Sequence, residues 1–284
     1  MLGALPEAVA LEAGAALGWL AGVVFRVRRG VVDANLVRAF PHEDASWRRR
    51  VAVESYRHLG REAVMTFRLA RSGPEDVIAR TDVLGLASLV DAASTRGAVV
   101  ATGHFGNWEL GGSAVAARGV PLDVVAFRQR NRLFDEELVR TRGRLGMRVV
   151  TRGRAPREVL RSLRDGRITA LVADQNAGRR GVFVDFFGHP ASTARGPALF
   201  ALRSGAALFT GFCLAMGGSP RRYVVHLEEV PVERNGDLEE DVLRLTRAHG
   251  ERLERFIRRA PEQYFWQHNR WKTRPPGDAL PAEA

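Results

Sequence analysis

Gly97 to Gly112 reads GAVVATGHFGNWELGG. The valine-rich run from Ala98 to Ala101, bounded by glycines, predicts a short strand buried on both faces of a parallel sheet. The run breaks at Thr102-Gly103-His104. From Trp108 the pattern turns helical, with Asn107 at the N-cap and Glu109 in the first turn. His104 therefore falls at the carboxyl end of a strand, where open α/β sheets gather their chemistry. Glu109, five residues on, lies at a helix N-terminus whose partial positive charge favours an ionised carboxylate. The two side chains are within reach of each other. An imidazole held by a carboxylate takes a proton from a hydroxyl at neutral pH, because the carboxylate fixes the tautomer and stabilises the imidazolium. The same position also suits a hydrogen-bonded structural histidine.

Outward from this stretch, strand signals recur at Leu122 to Phe127, Met147 to Thr151, Ile168 to Ala173, Ala206 to Phe212 and Tyr223 to Glu229, the last read as antiparallel at an edge. Helical patterns lie between them at Leu86 to Thr95, Asp135 to Leu145 and Pro156 to Leu163, and Leu238 to Arg259 follows as a long amphipathic helix. This alternation predicts the α/β class, with a central, mostly parallel sheet flanked by helices. Ser46 to Arg71 has apolar residues at Val51, Tyr56, Leu59, Ala63, Phe67 and Ala70, which predicts a further amphipathic helix.

Ala8 to Phe25 is apolar apart from Glu12, and Arg26, Arg28 and Arg29 follow at once. Eighteen residues is the lower edge of what spans a bilayer, so residues 1–30 are expected to form a membrane-associating helix, spanning or interfacial, with a core helix as the alternative. The arginines place the downstream chain on the cytoplasmic side. Residues 31–275 are expected to form the folded domain, and 276–284 a disordered tail.

The 284 residues carry a net charge of +11, which invites a nucleic-acid partner. Against that, 42 of the 43 basic residues are arginine, dispersed along the whole chain, and no zinc-finger, helix-turn-helix or RNA-binding motif is present. A lone Cys213 excludes a disulfide framework, and no His or Cys stands at ligand spacing from His104, so neither a metal nor a cofactor is expected. Cys213 lies in an apolar run, where its thiolate is scarce, and no Gly-x-Ser-x-Gly elbow exists. A covalent enzyme intermediate is therefore not expected.

His104-Phe105-Gly106-Asn107-Trp108-Glu109 matches the H-x4-D/E motif of the lysophospholipid acyltransferase superfamily, and as HFGNWE it resembles the late acyltransferases of lipid A biosynthesis. The likeness extends to Asn35-Leu36, Phe40-Pro41, Asp174-Gln175, the Phe-Phe-Gly at 186–188, and the ending Pro261-Glu262-Gln263-Tyr264 through Trp266, His268 and Lys272-Thr273-Arg274-Pro275. Arg195 and Asn269 depart from the pattern, as do Gln129 and Arg132 where the family has prolines. The resemblance implies a glycerol-phosphate-acyltransferase-like fold, His104 as general base and Glu109 as its partner. It implies substrate contacts from Arg142, Arg128, Asn107, Asp174 and Gln175, with Arg142 holding a phosphate or the charge that develops at the thioester. The implied reaction carries an acyl chain from acyl carrier protein or coenzyme A to a hydroxyl of a membrane glycolipid at the cytoplasmic face of the inner membrane. A lipid A precursor is the expected acceptor, and phosphatidylinositol mannoside or a lysophospholipid the alternatives. A non-catalytic lipid-binding protein of the same fold is the remaining reading. The closing tryptophans and tyrosine suit either a membrane-interface belt or buried rings capping the sheet.

Overall fold

The computed structural model describes residues 5–277 apart from 127, 152 and 154. In chain order the elements are α1 (Glu7–Trp19), α2 (Arg29–Ala39), α3 (Ala45–Leu69), α4 (Pro74–Arg80), β1 (Thr81–Leu84), α5 (Leu86–Arg96), β2 (Ala98–Thr102), α6 (Trp108–Ala116), β3 (Leu122–Ala126) and α7 (Arg132–Arg144). There follow β4 (Met147–Thr151), α8 (Ala155–Arg164), β5 (Ile168–Val172), β6 (Val182–Phe186), β7 (His189–Thr193), α9 (Gly196–Ser204), β8 (Ala207–Gly217), β9 (Arg222–Val230) and α10 (Leu238–Arg259). A π-helical turn, Leu20–Val24, prolongs α1.

Seven strands form one sheet in the order β1-β9-β8-β2-β5-β3-β4. From β8 to β4 every pairing is parallel; β9 pairs antiparallel with β8, and β1 pairs parallel with β9. The expected reversal at Tyr223 to Glu229 is present, but β1, unforeseen in the sequence, takes the edge beyond it. β6 and β7 pair antiparallel with each other as a hairpin apart from this sheet.

The strand that opens the motif is buried on both faces because its side chains alternate between two cores. Ala98 and Val100 pack with Leu89, Leu110 and Ala114, while Val99 and Ala101 pack with Ala198, Ala201 and Leu245. A fully buried valine contributes about 1.5–3 kcal/mol, so this central strand is anchored from either side.

α1 lies along α3 at backbone contact. A Cβ added to Gly14 would stand 2.6 Å from the Gly60 carbonyl oxygen, and one on Gly18 only 2.0 Å from that of Tyr56. Ala10, Leu11 and Ala15 are buried in this contact, while Val9, Leu17, Val24 and Phe25 remain exposed. Asp44 caps α3 through the Trp47 amide at 2.7 Å. The buried stripe of α3 keeps Val51 and Tyr56 of the apolar residues that predict it and departs from the rest further along the helix. Ala63 and Phe67 are exposed, and Ser55, His58, Glu62, Met65 and Leu69 face inward, because the polar pair His58 and Glu62 is turned toward the loop after β2.

The closing segment is a cap. Tyr264, Trp266 and Trp271 are buried in a cluster with Phe40, Phe186, Phe187 and Phe256, so the buried-ring reading holds over the interface-belt reading. The expected tail falls mostly on 278–284, outside the described residues.

Candidate active site

β2 and β5 are hydrogen-bonded neighbours, with Thr102 opposite Val172. Their carboxyl ends lead directly to His104 and Asp174. The carboxylate of Asp174 grips this histidine twice: Oδ1 lies 2.8 Å from the imidazole Nδ1, and Oδ2 accepts the His104 main-chain N–H at 2.9 Å. The double contact fixes the Asp174 rotamer and aims the imidazole together. Trp108 and Phe265 flank the ring at centroid distances of 4.8 and 5.8 Å. The Gln175 amide nitrogen sits 3.5 Å from Nε2 on the open side of the ring. The imidazole side chain is 23% exposed against 2% for the Asp174 side chain, so the imidazole is in part open to solvent and its carboxylate partner is not.

Burial opposes protonation of His104, but the charge and hydrogen bond of Asp174, with a lesser pull from Glu109, outweigh it and raise the imidazole pKa above its ordinary value. Burial likewise opposes ionisation of Asp174, and the His104 charge and hydrogen bonds, helped by Arg270, hold it below the usual carboxylate range.

Glu109 stands in the first turn of α6 as expected, but its carboxylate faces α7. Arg142 Nε donates to Oε2 at 3.0 Å, and an Nη donates to Oε1, in a two-pronged pair that is largely buried. The carboxylate in hydrogen-bond contact with His104 is therefore Asp174, and Glu109 acts on the imidazole through its charge. Arg142 has two of its donors committed to Glu109 rather than turned to an open phosphate site. Arg128 is exposed on the loop before α7. Asn107 is 2% exposed. It caps α6 by accepting from the Leu110 amide at 2.8 Å and donates to Glu62 at 2.8 Å, which removes it from the substrate-facing surface.

Residues that carried no assignment in the sequence also converge here. His268 Nε2 accepts from the Asn176 amide at 3.0 Å, and Thr273 holds the Asn176 side chain at 3.0 Å. Arg270, 3% exposed, donates to the Ser192 carbonyl at 2.7 Å and to the Thr193 hydroxyl. The closing motif thus ties the loop after β5 to the β6–β7 hairpin. Its density of hydrogen-bonding residues among aromatics was the available signal. Cys213 is buried in β8 and its thiol is pushed up strongly by burial. The Ser113 hydroxyl is spent on the Glu109 carbonyl at 2.7 Å.

The imidazole and carboxylate are thus paired at adjoining strand ends of an α/β sheet. Residues 1–273 match the family described as bacterial lipid A biosynthesis acyltransferase, and the chain belongs to that family. It is 30% identical over 283 residues to a lipid A biosynthesis palmitoleoyltransferase of Escherichia coli K12, covering 97% of this chain and 89% of that protein. It is 30% identical over 278 residues to the lipid A biosynthesis lauroyltransferase of the same strain, covering 96% and 88%. It is also 37% identical over 223 residues to a phosphatidylinositol mannoside acyltransferase of Mycolicibacterium smegmatis, covering 74% and 70%. The protein is an O-acyltransferase.

Proposed function

We propose that the protein transfers a fatty acyl chain from an acyl thioester, acyl carrier protein or coenzyme A, to a hydroxyl of a membrane glycolipid, with a lipid A precursor as acceptor. The observation that carries this is the Asp174-bound imidazole of His104 opening toward solvent at the ends of β2 and β5. His104 Nε2 takes the proton of the acceptor hydroxyl as that oxygen attacks the thioester carbonyl. Asp174 holds the tautomer through Nδ1 and stabilises the imidazolium, which then returns the proton to the departing thiolate. A hydroxyl bound at Nε2 lies within reach of the Gln175 amide, which donates either to that oxygen or to the charge that develops on the carbonyl. Glu109 and Arg142 brace the first turn of α6, and Glu109 adds negative charge beside the imidazolium. The acyl group moves directly, since the Cys213 thiol and Ser113 hydroxyl are both occupied or buried away from His104.

The exposed apolar face of α1, from Val9 to Phe25, with Arg26, Arg28 and Arg29 beyond it, supports membrane association on the cytoplasmic side. Replacing Val9, Leu17, Val24 and Phe25 by serine lowers co-sedimentation with anionic vesicles; unchanged sedimentation counts against this.

A second reading, the same chemistry on phosphatidylinositol mannoside, is favoured by the 37% identity to the mycobacterial enzyme. The test is to incubate purified protein with a labelled acyl thioester and either lipid A precursor or phosphatidylinositol mannoside, and to identify acylated lipid by mass spectrometry. Acylation of lipid A precursor, abolished in His104→Ala, is the expected result. Label on neither lipid, or equal product from His104→Ala, overturns the reading.

A further inference from the structure

Glu62 is a carboxylate in the middle of α3, 4% exposed. A buried charge costs several kcal/mol unless it is paired and hydrogen-bonded. Its partners come from three places. The Asn107 amide donates to Oε2 at 2.8 Å, the Tyr223 hydroxyl on β9 donates to the same oxygen at 2.9 Å, and Arg221 Nε, in the turn before β9, donates to Oε1 at 3.1 Å. His58, one turn earlier on α3, has Nδ1 3.8 Å from Oε1. Two of these partners are structural clamps; the third is the loop that carries His104.

Asn107 has each end of its amide committed. A carboxylate only accepts, so Glu62 dictates that the nitrogen of Asn107 faces α3 and the oxygen faces the Leu110 amide that it caps. The loop around it has little slack. The Asn107 main-chain N–H donates to Cys213 O at 3.1 Å, and that of Gly106 to Gln263 O at 2.9 Å. Gly106 sits at φ +57°, where a Cβ would stand 1.7 Å from Cys213 O. The segment from His104 to Glu109 is thus fixed by backbone bonds on one side and, on the α3 side, by the bond between Asn107 and Glu62 and by His58 against the Gly106 backbone.

We propose that Glu62 is a positioning residue for the catalytic loop: through Asn107 it sets the first turn of α6 and holds His104 and Glu109 in their working places. The proposal rests on His104 being the base. Displacement of a reacting group by about 1 Å is enough to cost ~10²-fold in rate, and a loosened Asn107 frees both flanks of the motif.

The test measures kcat, KM for each substrate and Tm for Glu62→Ala, Glu62→Gln, Asn107→Ala, Tyr223→Phe, Glu62→Ala/Asn107→Ala and His104→Ala in the full-length protein. Glu62→Ala and Asn107→Ala lower kcat ~10–10²-fold with KM little changed. The double variant is no worse than the weaker single, because both remove one link. Glu62→Gln, whose carbonyl still accepts from Asn107, recovers most of the rate. Tyr223→Phe loosens the same carboxylate away from the loop; it lowers Tm and leaves kcat within about twofold. A folded Glu62→Ala with wild-type kcat, multiplicative losses in the double variant, or a kcat loss in Tyr223→Phe equal to that of Asn107→Ala overturns the proposal. If Glu62→Ala does not fold, wild-type kcat in Asn107→Ala does so. Activity in His104→Ala defeats the base assignment instead, so the two failures are told apart.

Discussion

Two buried aspartates sit at opposite ends of the same sheet. Asp123, at the start of β3, is wholly buried and bound by two guanidinium groups: Arg148 Nε at 3.0 Å, and Arg167 through Nε at 3.0 Å and Nη at 2.6 Å. Asp174, past the end of β5, is as deeply buried, but its main partner is an imidazole at 2.8 Å. Burial works against ionisation in each, and in each the partner wins, so both carboxyls lie below the ordinary range. The difference is in the partner. Arginine stays charged at any working pH, so the Asp123 cluster is a fixed clamp between β3, β4 and the start of β5. Histidine exchanges its proton near neutrality, so the same burial at the carboxyl end makes a group that can take and return one. Charge pairing alone does not mark a site in this arginine-rich chain; the titratable, solvent-reaching partner does.

Substitutions at the His104 end of the sheet have the largest effect. His104→Ala and Asp174→Asn each lower kcat by ~10²–10⁴-fold, measured by acyl transfer on preparations that melt cooperatively; Asp174→Asn also lowers Tm, because one of the two donors of His104 loses its acceptor. At the other end the outcome inverts. Asp123→Asn leaves kcat of the folded protein unchanged and costs about 2–3 kcal/mol of stability in denaturant titration, since two guanidinium groups lose their counter-charge. A loss of kcat matching that of Asp174→Asn would erase the distinction.

A smaller effect sharpens the role of burial. His249 on α10 has its pKa pushed down to about 4, first by burial and then by Arg270 and Arg252. The unfolded chain binds this proton below about pH 6.5 and the folded chain does not until about 4. Stability from this group is therefore complete above pH 6.5 and falls as pH drops through that window, by about 1 kcal/mol per unit. His249→Gln flattens the slope in melts between pH 6.5 and 4.5; an unchanged slope refutes it.

The fold was legible because the central strands read as short apolar runs, that of β2 between glycines, with helical patterns between them. β1 escaped because Thr81–Leu84 is short and only half apolar, and its place depends on pairing with β9. His104 was legible because its motif is local. Its hydrogen-bonding partner was not: Asp174 lies seventy residues on, and only the order of β2 and β5 in the sheet makes them neighbours. Asp174 was visible as a polar strand end, without the information that decides between contact with substrate and contact with His104. Glu109 stands where the helix start put it, yet which way its carboxylate turns depends on Arg142 of a helix docked later. Glu62 left a trace that an apolar count passes over. Ser55, His58, Glu62, Met65 and Leu69 share the helical stripe that α3 buries, so a charged residue on that stripe demanded a partner.

The measurement that bears most directly on the account asks which carboxylate governs His104. The pH dependence of kcat/KM for acyl transfer is recorded for wild type, Asp174→Asn and Glu109→Gln. Because Asp174 raises the imidazole pKa most and Glu109 less, the wild-type rate rises through an acid limb above pH 6.5. Removing either negative charge stabilises the neutral imidazole and moves that limb to lower pH. The larger downward shift and the larger loss of rate are expected in Asp174→Asn. A larger shift and loss in Glu109→Gln, with Asp174→Asn close to wild type, would contradict it.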